Sequence, residues 1–360
     1  EFDGAEYIIA VFPSEGRPTI ELLPAIFTHL ITSLSFPKTM RWDSSMLRFA
    51  RPIRWLVALM DDHVVPFALG ELTAGRETRG HRFLAPGAAD IPHAMDYRRI
   101  MDEDHVIVEP DGRREAIRAQ LESIAQQDGA IIVDDGSLLE ETNFSLEYPT
   151  AVRGAFDAGF LALPREVLLR VLRREQNFFP LANATGELLP TFIAVRNGDK
   201  AYLSSVREGY EAVARAKLLD AQFFYEQDAR RPLADRIEEL QGVIFQERLG
   251  TLHDKAQRLQ PLAEYLAGEL MLPVNERQDA ERAALLAKAD LVTAMVIEHP
   301  ELQGIMGRVY ARLSGENDAA ALAIGEHYLP RTAGDPIPAT TPGRVVALAE
   351  DAVDGVDVLR

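Results

Sequence analysis

Residues 206–259 read VREGYEAVARAKLLDAQFFYEQDARRPLADRIEELQGVIFQERLGTLHDKAQRL. Tyr210, Ala214, Leu218, Ala221 and Tyr225 recur at steps of three and four, the spacing that gathers side chains on one face of a helix. Glu211 and Arg215 flank that stripe as an i,i+4 ion pair. Leu252, Ala256, Leu259, Ala263, Leu266 and Leu270 repeat the rhythm, and Pro261 predicts a kink or a division there. Leu285, Ala289, Val292 and Val296 supply a further stripe before His299-Pro300. Beyond the stiff connector Gly334–Pro342, Thr341-Pro342 opens a last helix carrying Val345, Leu348, Ala352 and Val356 toward one side. From residue 206 onward the chain reads as helix almost throughout.

Upstream the pattern is different. Tyr7–Phe12 reads as a strand, and Leu23, Ile26, Leu30 and Leu34 as a helix closed by Pro37. Trp55–Met60 and Val64–Leu69 flank Asp61-Asp62-His63, which predicts a hairpin. His105–Val108 reads as a short strand, followed by a helix capped by Asp111 and bearing Ile117, Leu121 and Ala125. Strand-like Ala151–Phe156 precedes a helix opened by Pro164. Phe178–Leu181 and Leu189–Val195 then flank Asn183-Ala184-Thr185-Gly186 as a second hairpin. The fold class expected is α+β, with a mixed domain over 1–205 and a helical domain over 206–360.

Composition narrows the function. The 360 residues are 47% hydrophobic, enough for sizeable cores, and the formal net charge is −18. Such a balance repels polyanions, so an RNA partner would need local basic patches and would bind with salt-sensitive affinity. With no cysteine, disulfides, thiolate metal sites and cysteine nucleophiles are excluded. No apolar run approaches the roughly 20 residues that span a bilayer, and no signal peptide opens the chain, so a cytoplasmic protein is expected. The start at Glu1-Phe2-Asp3 and the uncapped finish at Arg360 suggest a piece of a longer protein.

Four local patterns invite chemistry. His253-Asp254 has the form of a metal-binding doublet, but Asp254 lies about 200° around the helix from Leu252, at about 100° per residue. It therefore reads as a surface pair. Thr78–Phe83 (TRGHRF), with Arg76 upstream, sets Arg79, His81 and Arg82 around a glycine that allows close backbone approach, a set suited to gripping phosphates. Arg207, Arg215, Lys217, Arg230 and Arg231 stand among Glu208, Glu211, Asp220 and Asp228, a mixture expected of a solvated, ion-paired face. Arg51-Pro52-Ile53-Arg54-Trp55 offers an aromatic beside arginines, but a Trp at a strand start is expected in the core. No Gly-rich phosphate loop, Ser-His-Asp set or zinc pattern is present, so no catalytic residue and no resident cofactor is assigned.

Taken together, Met40–Leu56 (MRWDSSMLRFARPIRWL) and Val206–Leu259 resemble the β chain of the bacterial two-subunit glycyl-tRNA synthetase. So, in the same order, do Thr78–Leu84 (TRGHRFL), Asn143–Phe156 (NFSLEYPTAVRGAF), Leu163–Leu168 (LPREVL), Phe192–Asp199 (FIAVRNGD), Ala283–Thr293 (AALLAKADLVT) and Glu301–Ala311 (ELQGIMGRVYA). The resemblance implies a front module like the editing-type module of the phenylalanyl-tRNA synthetase β chain, followed by an HD-like helical domain. It implies a noncatalytic subunit that supports tRNA(Gly) recognition and assembles with an α subunit as two α and two β chains. ATP and Mg would be used by α, none bound here, and the tRNA contacts expected are Arg76, Arg79, His81, Arg82, Arg207, Arg215 and Lys217. At the HD doublet's position stand Ala287 and Lys288, which supply no metal ligand, leaving Asp290, Asp351 and Asp354 as carboxylates. The competing readings are an HD-type metal-dependent phosphohydrolase and a residual editing hydrolase of mischarged tRNA. The chain also departs from the family pattern: Asp43–Leu47 replaces a glycine-rich turn, Glu175 a histidine, Tyr210 an asparagine and His253 a tyrosine.

Overall fold

The computed structural model describes residues 16–133 and 136–358, the side chains of 354 and 356–358 excepted. The strand expected at Tyr7–Phe12, both chain ends, and the side chains of Asp354 and Val356 lie outside the described residues. The fold is mixed α+β. It divides into two compact units that interleave along the chain. One comprises residues up to Gln120 with Leu139–Thr150 and Val195–Ala201; the other comprises Leu121–Leu138, Ala151–Ala194 and the chain from Tyr202 onward. Helix takes over at Leu203.

In the first unit a helix over Thr19–Ser33 lays Ile20, Leu23 and Phe27 on a small core of Ala58, Val65 and Ala74. Leu59–Met60 and His63–Val64 form the expected hairpin, with Asp61 in the left-handed region at φ 56°. Leu56–Val57 pairs in parallel with Leu72–Gly75, to which Ala68–Leu69 is antiparallel. Glu77–Arg79 and Ala88–Asp90 are antiparallel, so the segment 80–87 between them is a loop held at both ends.

A four-stranded sheet has the order Ile131–Ile132, Phe179–Ala182, Leu188–Asn197, Pro149–Ala155. The Asn183 side-chain carbonyl turns the central hairpin by accepting from the backbone N–H of Thr185 (3.0 Å) and Glu187 (2.9 Å). Phe178 and Phe192 stack with centroids 4.4 Å apart. A Cβ at Gly154 would stand 2.4 Å from Cζ of Phe192, so only glycine fits there. The helices Leu252–Glu269, Val274–Leu286, Asp318–Glu326 and Thr341–Val358 pack on one another. Their contacts are rich in alanine (Ala256, Ala263, Ala267, Ala280, Ala283, Ala284, Ala321, Ala323, Ala349), whose small side chains let the axes approach closely.

Several expectations are corrected. His105–Val108 is not a strand: His105 takes φ 59° at the end of the Tyr97–Glu103 helix, and Ile107 bonds the carbonyl of Glu147. Asp111 lies inside the first turn of the Pro110–Gln127 helix and pairs with Arg114 rather than capping. Pro261 neither ends nor divides the Leu252–Glu269 helix. The stripe from Leu285 is broken, because the helix ends at Leu286 and a 3₁₀ turn intervenes before Ala294–Glu298. In the last helix Val345, Val346, Ala349 and Val353 face inward, while Leu348 and Ala352 are exposed. Glu211 accepts from the backbone N–H of Ala155 at 3.0 Å instead of pairing with Arg215.

Candidate nucleic-acid interface

The strand Glu77–Arg79 alternates as the pleat requires: Thr78 is buried, while Glu77 and Arg79 face solvent. The loop that follows is fixed from behind. A Cβ at Gly80 would meet Cβ of Asp104 at 2.4 Å, so the packing of the loop against Asp104 requires glycine there. The backbone N–H of His81 bonds the Asp104 carbonyl at 2.8 Å. The His81 ring is only 2% exposed, and its Nδ1 accepts from the N–H groups of Phe83 (3.4 Å) and Leu84 (3.3 Å). That geometry places the ring proton on Nε2, which is buried without a partner among the described residues. His81 therefore shapes the turn from inside, where the sequence reading had set it among the phosphate-gripping groups. Arg82 and Phe83 emerge on the outside.

Arg54, Trp55, Arg79, Gly80, Arg82, Ala85, Pro86 and Glu147 line a cleft of about 770 Å³. Trp55, expected in the core, is 43% exposed, and Cζ of Arg79 lies 6.0 Å from its ring centroid. Arg54, Arg79 and Arg82 are all exposed, and among the described residues no carboxylate pairs with any of them. Elsewhere arginines are commonly paired, as in Arg99 with Asp96 and Glu103 or Arg282 with Glu316. Glu147 is the acid on the cleft's lining, and its Oε2 accepts from Nδ2 of Asn197 at 3.1 Å. Arg54 was legible in the run RPIRW but was read there as a neighbour of a buried ring.

The remaining candidates lie apart from this cleft's lining. Arg76 is half-buried and donates to the Asp62 carbonyl at 3.0 Å. Arg207, Arg215 and Lys217 are exposed along the Leu203–Ala229 helix of the second unit. Lys217 reaches Glu175 at 3.4 Å, and Arg231 pairs with Glu239 at 2.5 Å, in keeping with an ion-paired face; Arg207 and Arg215 have no ion-pair partner among the described residues. Behind Lys217, Glu175 faces His299 Nδ1 at 3.5 Å, and burial lowers the imidazole's pKa.

The second unit also fixes the degenerate doublet. Ala287 and Lys288 are buried at the end of the Val274–Leu286 helix. Nζ of Lys288 lies 2.6 Å from Oε1 of Glu350, which also meets Nζ of Lys255 at 2.8 Å. His327 donates through Nδ1 to the Ile324 carbonyl (2.6 Å), leaving the Nε2 lone pair to Lys288 at 3.0 Å. Burial holds this imidazole well below its usual pKa and so neutral; burial also lowers Lys288, opposed by Glu350. The Lys255, His327 and Glu350 members were not read from sequence. Of the carboxylates that were, Asp351 is exposed, and Asp290 accepts from the N–H groups of Gly304 (2.6 Å) and Gly307 (2.9 Å). Asp254 is exposed and completes a capping box with Thr251. Among the described residues no group of three or more His, Cys, Asp or Glu is arranged to hold a metal ion, and no helix is long and apolar enough to cross a membrane.

The sequence profile of the family described as glycyl-tRNA synthetase beta subunit matches residues 1–356. The chain is 47% identical over 350 residues to the glycine–tRNA ligase beta subunit of Moorella thermoacetica, covering 97% of this chain and 50% of that protein. It is 47% identical over 351 residues to that of Desulforamulus reducens (98% and 50%) and 43% identical over 350 residues to that of Bacillus subtilis (97% and 51%). The chain spans about half the length of the curated relatives it matches.

Proposed function

The chain belongs to the glycyl-tRNA synthetase β-subunit family, and we propose that it serves that ligase as a noncatalytic part, holding tRNA(Gly) and assembling with the α subunit. ATP and Mg are used by α in this reading, within a complex of two α and two β chains. The observation that carries it is identity near 45% over almost the whole chain, together with a basic cleft on a protein of net charge −18. Local cationic surface on an acidic molecule is what selective RNA binding needs, because the bulk charge suppresses indiscriminate contact. Arg79 and Arg82, with Arg54, are the phosphate-binding groups of the first unit. Arg207 and Arg215 are candidates in the second, with Lys217 shared with Glu175. Behind them His81 holds the loop backbone, and Arg76 holds the hairpin turn at Asp62.

The helical segment from residue 206 onward is, on this proposal, a domain of HD type in which an ammonium–carboxylate network occupies the metal's place, and the front module over 1–205 descends from the editing-type module. The buried set of Lys255, Lys288, Glu350 and His327 supports the first statement. A pull-down of the chain with the α subunit, with and without tRNA(Gly), tests the assignment. Retention of α and salt-sensitive retention of tRNA are expected, with no glycine-dependent ATP–pyrophosphate exchange by this chain alone. Failure to retain either partner would refute it.

A further inference from the structure

The basic cleft has a second property that duplex binding does not require. Trp55 is on its lining, and the same residue borders an apolar recess of about 400 Å³ whose walls include Leu56, Ile91, Ala94 and Tyr97. Cations that only track a regular helix need no aromatic among them, since paired bases are stacked on one another and their faces are closed. Here the exposed indole has on the same cleft guanidinium groups with no carboxylate partner among the described residues, and Arg79 lies over its ring. A cleft of about 770 Å³ has the capacity of a nucleotide site. We infer that this site takes one unpaired nucleotide: its phosphate lies among Arg54, Arg79 and Arg82, and its base stacks on Trp55 at the mouth of the apolar recess. Every base has a π-face, so the site selects single-stranded over paired RNA and is tolerant of sequence. Glu147 on the cleft's lining repels phosphate on its own side and leaves the arginines to set where the backbone runs. This inference rests on the tRNA-holding role proposed above and adds which form of the nucleic acid the first unit recognises.

The chain has two tryptophans, Trp42 and Trp55, so Trp42→Phe leaves Trp55 as the single indole reporter. That variant is titrated with an eight-nucleotide single-stranded RNA, with a duplex of equal length, and with tRNA(Gly). Quenching by the single strand and at least tenfold tighter binding of it than of the duplex are expected. Read from the anisotropy of fluorescently labelled RNA, because these variants lack the reporter indole, a loss of about tenfold on Trp55→Leu with recovery in Trp55→Tyr is expected. Arg54→Glu, at an exposed position, provides a second variant should Trp55→Leu fail to fold, and weakens single-strand binding by a similar factor. Equal affinity for strand and duplex, or an unchanged affinity in Arg54→Glu or a folded Trp55→Leu, overturns the inference while leaving the tRNA-holding role intact if tRNA(Gly) still binds. Absence of binding to all three RNAs overturns both.

Discussion

Nζ of Lys288 lies 3.0 Å from Nε2 of His327, so the lone pair that a neutral imidazole would give a metal is spent on an ammonium. The same ammonium meets Glu350, the carboxylate that would complete a ligand set, and Lys255 meets it from another helix. Two lysine amino groups thus occupy the ground a cation would need. Lys288→Met should lower stability by roughly 3 kcal/mol, the low end of the cost of breaking a buried pair because Lys255 still neutralises Glu350. Urea unfolding measures this. Treatment of the native chain with a chelator should leave the unfolding midpoint unmoved, and stoichiometric manganese, iron or zinc in the purified protein would contradict the arrangement.

Asp290 gives a pH dependence. It is fully buried, and burial pushes its carboxyl from 3.8 up to about 6, against the two glycine N–H groups that favour the charged form. A group whose pKa rises on folding contributes stability that is complete below the unfolded value and is lost as pH climbs through the folded value. The native chain should therefore lose stability relative to Asp290→Asn between about pH 4 and pH 7, by up to roughly 3 kcal/mol. The two should be close at pH 4. Denaturant unfolding of both proteins across that range checks the sign, and a gap that narrows with rising pH would rule it out.

The cleft arginines should appear in salt dependence. Arg79→Ala and Arg82→Ala each remove one phosphate contact, so each should weaken tRNA(Gly) binding and lower the slope of log K against log salt by about 1. Filter binding at several salt concentrations measures the slope. Unchanged slopes in both variants would remove these residues from the interface.

Helix faces and hairpins were legible in the sequence where one reading of the period existed. Ala214, Leu218 and Ala221 are buried as their spacing predicts, and Asn183 turns its hairpin through local bonds within five residues. In the last helix 345, 348, 352 and 345, 349, 353 both satisfy a 3.6 period, so periodicity alone does not select the buried face, which is the second set. Trp55 was misplaced for a related reason: composition says an indole favours burial, but not that arginines on a neighbouring strand and loop will line a cleft beside it. Lys255, Lys288, His327 and Glu350 are up to 95 positions apart in the sequence. Their meeting is a property of helix packing, which no local pattern carries.

Gly80 has a structural task that a substitution exposes. A Cβ there meets Cβ of Asp104 at 2.4 Å and Cβ of Ala85 at 2.9 Å, neither the end of a flexible side chain. Gly80→Ala should cost about 1–3 kcal/mol, as overpacking does. It should also weaken tRNA binding without removing any cation, because Arg79 and Arg82 flank the displaced backbone. A thermal melt and a binding isotherm on the same preparation separate the two effects.

The His253-Asp254 doublet is best distinguished from a metal site through Thr251. The Asp254 carboxylate accepts from the Thr251 N–H at 2.8 Å, and the Thr251 hydroxyl accepts from the Asp254 N–H at 3.2 Å, so each closes an open donor of the first helical turn. The bond from the Thr251 backbone is the leading cause that lowers the Asp254 pKa. A carboxyl lowered on folding contributes stability that is present above its unfolded pKa and is lost as pH falls through the folded value. Thr251→Ala should therefore cost about 1 kcal/mol at neutral pH, the usual loss of an N-cap. Asp254→Asn should lose its difference from the native chain on acidification, since protonation removes the charge that sets the two apart. His253→Ala should do neither, as its ring only approaches Glu238 at 3.9 Å. A metal doublet predicts the opposite order, with His253 and Asp254 equivalent and Thr251 silent.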